Sequence, residues 1–237
     1  VLDFDFEPQS PAWAKRLAAF DLETTGLDLR ESRIVTACVA VLDSNGQVEF
    51  LSEWLVNPGI EIPDAAAAVH GITTEFAEAN GSAPELAIAQ ILRSLAGLFK
   101  EMPVVAFNAA YDFSILHHEA IRHGLDPVSP KPVIDPLVLD REMVKYRSGK
   151  GSRTLGALTS DYQVPLENAH NSTADAVAAG RLAQRMASKF ERLNMDLEAL
   201  HNAQIEWAKA QALDFEKWMK TQNRPDFRAE LGWPVRD

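Results

Sequence analysis

The chain has 237 residues, 46% of them hydrophobic and 24% charged, with a formal net charge of -11. This composition suits one large domain with a real core, or one ordinary domain with an appendage, and the acidity excludes an extended basic platform that wraps duplex nucleic acid. A single cysteine, Cys38, excludes an internal disulfide and a cysteine-built zinc site.

Residues 1–16 form an extended, acidic, proline-containing lead-in, with neither the basic flank nor the long apolar run of a secretory signal. LAAFDLET (17–24) is a short apolar run that ends in polar residues, the pattern of a buried strand. RIVTACVAVLD (33–43) and QVEFLSEWLVNP (47–58) are strand-like and are separated by Ser44, Asn45 and Gly46, so the first three strands are expected to run as an antiparallel meander. Cys38 falls in the second of these runs and reads as a core residue.

A short helix is expected around 64–69. PELAIAQILRSLAGLFK (84–100) has Pro84 at a helix start and apolar residues at helical spacing. MPVVAFN (102–108) reads as another buried strand. YDFSILHHEAIRHG (111–124) reads as a helix stopped by Gly124, PVIDPLVLDREMV (132–144) as a strand entering a helix, RTLGALTSDY (153–162) as a short helix and STADAVAAGRLAQRMASKF (172–190) as a long one. Strands dominate the front and alternate with helices later, which indicates an α/β domain with a mixed sheet flanked by helices.

Beyond 190, Leu193, Leu197, Leu200, Trp207, Phe215 and Trp218 fall near one helical stripe, so 191–221 is one long amphipathic helix or two. Nine acidic and seven basic residues in 191–237 make it a balanced surface element. It either braces the domain or offers a face to a protein partner or to a second copy in a homodimer. No apolar run approaches the ~18 residues of a membrane span, and a cytoplasmic, membrane-free protein is expected.

Four carboxylates stand out. Asp21 and Glu23 lie at i and i+2 of a strand and so point to one face. Two carboxylates that close repel unless a cation sits between them, and Mg²⁺ and Mn²⁺ prefer such hard oxygen ligands. The alternative is a strand end turning out toward Gly26. Asp112, in the first turn of a helix after Asn108, is either a ligand or an acid placed to suit the helix dipole. Asp175 is three residues after Ser172, a capping-box-like spacing, and follows His170 by five. A histidine beside a ligating carboxylate is well placed to take a proton from water.

Together these stretches resemble the DEDDh exonuclease family, whose members share the ribonuclease-H-like fold. FDLETTG resembles the first motif (Asp21, Glu23), NAAYDFSIL the second (Asp112) and HNSTADA the third (His170, Asp175). VHGIT (69–73) and VIDPLVLDR (133–141) also resemble family stretches. The likeness spans about 17–190. It departs at Phe107, where many relatives have a histidine, and after 190, where the minimal family domain has no counterpart. Three parts follow: a lead-in over 1–16, an exonuclease domain over 17–190 and a helical extension over 191–237 packed on that domain.

The resemblance implies hydrolysis of phosphodiester bonds from a 3′ end, DNA or RNA, with release of nucleoside monophosphates. It implies two divalent metal ions, Mg²⁺ or Mn²⁺, held by Asp21, Glu23, Asp112 and Asp175, with His170 as general base and Asp135 supporting the ligands. Thr24, Thr25 and Leu27, after the first motif, would contact the terminal nucleotide, and Asn108 would also bind substrate. REMVKYRSGKGSR (141–153) has five basic residues and one acid, so Lys145, Arg147, Lys150 and Arg153 are candidate phosphate contacts beside Tyr146, which could stack on a base. The alternative reading of that segment is a solvated loop. A rival for the whole chain is a non-catalytic nucleic-acid-binding subunit docked to a polymerase-type partner through its C-terminal helix.

Overall fold

The protein is described by a computed structural model over residues 10–166 and 171–236. His170 and most of the lead-in lie outside the described residues. In chain order the elements are β1 (Leu17–Thr24), β2 (Ile34–Leu42), β3 (Val48–Leu55), α1 (Asp64–His70), α2 (Thr74–Asn80), α3 (Pro84–Leu98), β4 (Val104–Val105), α4 (Ala109–Arg122), β5 (Val133–Ile134), α5 (Pro136–Met143), α6 (Leu155–Asp161), α7 (Ser172–Lys189) and α8 (Leu197–Thr221). The sheet order is β3-β2-β1-β4-β5. The β1–β2 and β2–β3 pairs are antiparallel, and β1–β4 and β4–β5 are parallel. This is the mixed sheet of the ribonuclease-H-like fold.

Side chains alternate across a strand, and here the alternation separates two cores. Ala18, Phe20 and Leu22 of β1 pack with Ile88, Ile91 and Leu95 of α3 and Phe113 and Leu116 of α4. Leu17 and Ala19 pack on the other face with Ala176, Ala179, Leu182, Ala183 and Met186 of α7. Asp21 and Glu23 continue the second series. The register that buries Leu17 and Ala19 under α7 therefore delivers both acids to the start of that helix.

Gly180 sets how closely α7 approaches the sheet. A Cβ there would lie 2.5 Å from Leu42 Cδ1, 3.2 Å from Leu17 Cδ1 and 3.3 Å from Ala19 Cβ. Alanine would gain up to ~1 kcal/mol of helix propensity, but overpacking a filled core costs about 1–3 kcal/mol. Gly180→Ala is thus expected to lower the unfolding temperature by about 3–6 °C, for a net cost of about 1–2 kcal/mol. A thermal melt equal to or above that of the parent protein would contradict this packing.

The strand expected over 102–108 and the strand entering a helix expected over 132–144 are real, but the two strands contribute only two residues each to the ladder. Neither α2 nor its separation from α1 was read from the sequence. Gly71, at φ 78°, ends α1, and Thr73 caps α2 by accepting from Phe76 N. The C-terminal region is a single 25-residue helix after a short turn at Glu191–Leu193. That helix closes the β5 edge of the sheet. His201 Nδ1 accepts from Val133 N (3.1 Å), Gln204 Nε2 donates to Val133 O (3.0 Å), and Gln204 Oε1 accepts from Asp135 N (2.7 Å). Side chains thus satisfy an edge that would otherwise present open backbone groups.

Candidate active site

The acids converge where β1, α4 and α7 meet. Asp21 lies opposite Cys38 and Glu23 opposite Thr36 in the β1–β2 ladder. One carboxylate oxygen from each of Asp21, Glu23 and Asp175 lies within 4.8 Å of the others. Asp112 is 3% exposed, and its Oδ1 accepts from Leu22 N (3.1 Å), the amide between the two strand acids. The four predicted carboxylates therefore share one locus.

Local structure fixes each of them. Asn171 caps α7, its Oδ1 accepting from Thr173 N and Ala174 N at 3.1 Å each, which places Asp175 in the first turn. Ser172 Oγ accepts from Thr36 Oγ1 (3.2 Å) and Thr173 Oγ1 bonds Glu53, so this helix start is tied to β2 and β3. At α4, Asn108 occupies the left-handed region (φ 62°) and its side chain makes no capping bond. Asp135 supplies the cap instead. Its two oxygens accept from Asn108 N and Ala109 N at 3.0 Å each.

Burial and mutual repulsion oppose ionisation across this cluster. Asp21 is held well above the usual carboxylate range by burial first, then by Asp112, Asp175 and Glu23. Glu23 is raised to about 7 by burial and by Asp175. Asp112 is also raised, by burial above all, against the lowering effect of the Leu22 amide. A set of converging oxygens that resist carrying charge unaided has the character of a site for hard divalent cations, which favour carboxylate ligands and offset the repulsion.

Around the acids, the threonines predicted to touch substrate serve the turn. Thr24 Oγ1 donates to Gly26 O (2.8 Å), and Thr25 Oγ1 accepts from Arg33 N (2.9 Å). Tyr111, which the sequence reading did not single out, donates to Gly26 O (2.7 Å) and lies 2.6 Å from Thr24 Oγ1, joining this turn to α4. Its position directly before Asp112 was the available clue. Leu27 stands 86% exposed at the tip of the turn, and Asn108 is exposed beside Asp135.

The basic segment divides. Arg147 bonds both oxygens of Asp140 and also Asp161, and Arg153 Nε donates to Asp140 Oδ2 (2.9 Å). Asp140 is fully buried and also accepts from Tyr162. The two guanidinium groups therefore pin the segment to α5 and α6, and Lys145 and Lys150 are left exposed. The hollow in this segment, about 530 Å³ under Tyr146, Arg147 and Ser148, contains none of the four acids. A groove of about 350 Å³ does open on Glu23, lined also by Trp54, His70, Ile72, Phe76 and Asn171. His70 and Phe76 lie in or next to VHGIT, but only the fold brings Trp54 of β3 to them.

Comparison with known proteins agrees with this geometry. An exonuclease family model of the RNase T type matches residues 18–183. The PolC-type DNA polymerase III of Streptococcus mutans is 31% identical over 163 residues, which is 69% of this chain and 10% of the polymerase, and that of Streptococcus agalactiae matches to the same extent. Escherichia coli exonuclease I, solved in complex with a dA16 oligonucleotide, superposes with a TM-score of 0.65 at 21% identity, covering 76% of this chain and 42% of the other. The chain thus spans about a tenth of these polymerases and about four-tenths of exonuclease I. With the family model covering most of its length, three motif acids within 4.8 Å of one another and the fourth, Asp112, bonded to the amide between two of them, the chain belongs to the DEDDh-type 3′–5′ exonuclease family.

Proposed function

We propose that the protein is a metal-dependent 3′–5′ exonuclease that trims single-stranded ends, DNA among them, to nucleoside 5′-monophosphates. The observation that carries this reading is the convergence of Asp21, Glu23 and Asp175 within 4.8 Å, with Asp112 bonded to the amide between the first two. These four residues would hold two Mg²⁺ or Mn²⁺ ions. Such ions supply charge stabilisation at the phosphate and make water a better nucleophile.

The chain's own groups account for the rest. An imidazole nitrogen of His170 accepts a proton as water attacks the terminal phosphodiester. The new P–O bond forms as the P–O3′ bond breaks, the departing O3′ takes a proton from solvent to leave a 3′-hydroxyl on the shortened strand, and the nucleoside 5′-monophosphate is released. The groove beside Glu23, about 350 Å³ and lined by Trp54 and Phe76, would take a nucleobase of any identity against an aromatic ring. Leu27 would pack against the terminal nucleotide, and Lys145 and Lys150 would meet phosphates further along the strand. An acidic chain suits this task, because bound cations rather than a basic face supply positive charge where the bond is cut. The co-crystallised dA16 oligonucleotide of exonuclease I supports single-stranded DNA as a substrate class. Among the described residues no helix is long and apolar enough to cross a membrane, and the lone, buried Cys38 suits a cytoplasmic location.

The test is digestion of matched DNA and RNA oligonucleotides, labelled at the 5′ end, with Mg²⁺ or Mn²⁺. The expected result is a ladder shortened one nucleotide at a time from the 3′ end, abolished by a chelator. Failure to digest either polymer while still binding it would instead favour the non-catalytic binding subunit.

A further inference from the structure

We propose that Trp233, in the C-terminal segment, is a positioning residue for Asp112, acting through Asp135 on the first turn of α4. The inference rests on the exonuclease reading of the acid cluster. It goes beyond that reading because Trp233 lies outside the span matched by the family model, residues 18–183.

Asp135 is the joint at which the tail meets the site. It is 2% exposed, and four N–H groups converge on its two oxygens. Oδ1 accepts from Asn108 N (3.0 Å) and Leu137 N (2.9 Å), and Oδ2 from Ala109 N (3.0 Å) and Trp233 Nε1 (3.3 Å). Asn108 holds a left-handed conformation, which asparagine tolerates better than most non-glycine residues. By accepting from the amides of Asn108 and Ala109, Asp135 ties the start of α4 to the end of β5. Asp112 comes within one turn of that point.

The same tail grips α4 a second time. Arg236 N donates to Ser114 Oγ (2.8 Å), which itself donates to Ala110 O. Asp112 is therefore bracketed, with residues 108–109 held through Asp135 on one side and Ser114 held by Arg236 on the other. The turn that presents Trp233 is built for close approach, since a Cβ at Gly232 would lie 2.4 Å from Val235 O. Trp233 is itself 8% exposed, packs in the core shared with Phe113, and has its ring 5.3 Å from that of His201 in α8. Once buried, the indole N–H needs a partner, and the one it meets is the same carboxylate oxygen that accepts from Ala109 N at the start of α4.

The test uses Trp233→Phe in the full chain, which keeps an aromatic ring and removes the donor. Three quantities are read: the Mn²⁺ binding isotherm by calorimetry, kcat and KM on a single-stranded oligonucleotide, and the unfolding temperature. The expected result is a rise of about tenfold in the half-saturating Mn²⁺ concentration and a similar fall in kcat, the scale of one lost bond to a charged group, with KM unchanged. Ser114→Ala removes the second grip without touching the aromatic core and is expected to shift Mn²⁺ binding the same way; it carries the test if Trp233→Phe does not fold. A lowered unfolding temperature with an unchanged Mn²⁺ isotherm in both variants would make the tail purely structural and overturn the proposal. A parent protein that binds Mn²⁺ but digests nothing would instead overturn the exonuclease reading, while the isotherms still decide the role of Trp233.

Discussion

Glu23→Gln is expected to produce a more stable protein and an inactive one. Glu23 is raised from 4.5 to about 7 by burial and by Asp175. For an acid whose folded pKa lies above its unfolded value, the associated stability is fully present below the unfolded value and is lost as pH rises through the folded one. The metal-free protein therefore loses stability between pH 4.5 and about 7 on account of this group. Taken at full value the shift is worth about 3 kcal/mol, and screening of a partly exposed group reduces it to about 1–2 kcal/mol. Glutamine never carries the charge. The variant should unfold about 3–6 °C higher than the parent at pH 8 without metal, and the gap should close near pH 4. Asp21→Asn should move the same way, because burial and three neighbouring carboxylates all oppose its ionisation.

Added Mn²⁺ should reverse the order of stability. A ligand at a hundred times its Kd stabilises the state that binds it by about 2.7 kcal/mol, and the variant forgoes much of that gain together with about 10³-fold in rate. Melts with and without Mn²⁺ at pH 4 and pH 8, alongside the oligonucleotide assay, provide the check. A metal-free variant less stable than the parent at pH 8 would mean that Glu23 serves the fold rather than the cations.

The second large effect concerns His170. Its chain neighbour Asn171 lines the groove that opens on Glu23 and caps the helix that carries Asp175. Replacing His170 with alanine is expected to lower kcat by about 10²–10⁴-fold, the usual worth of a positioned base, and to leave the Mn²⁺ isotherm within about twofold of the parent. The acid limb of the rate profile should flatten in the variant. Weakened Mn²⁺ binding would make His170 a ligand, and an unchanged rate would remove it from the reaction.

How much of this was legible in the sequence depended on where each partner lies along the chain. The period of two in β1 gave both the strand and the common direction of Asp21 and Glu23. The helix starts that carry Asp112 and Asp175 were visible because each follows a recognisable boundary. The length of β4 and β5 was not, because a continuous apolar run does not say which of its residues find a ladder partner. Arg147 and Arg153 read as candidate phosphate contacts in a basic stretch, yet Asp140, seven and thirteen residues earlier in the run PLVLDREM, pairs with both, and Asp161 pairs with Arg147 as well. Trp233 was the least legible, since the carboxylate it meets lies 98 residues earlier in the chain. Local composition reports periodicity and caps well, but the pairing of a buried acid with a remote donor exists only once the chain has folded.

The alternation along β1 has a consequence for how this chain can change. Odd positions supply one core and then the acids, whereas even positions supply the other core. Gaining or losing a single residue upstream of Asp21 within that strand would exchange the two sets at a stroke, turning Phe20 or Leu22 toward α7 and driving a carboxylate in among Phe113 and Leu116. Substitutions can explore this strand one at a time, but its reading frame, like that of a codon series, is locked by the fold and the chemistry together.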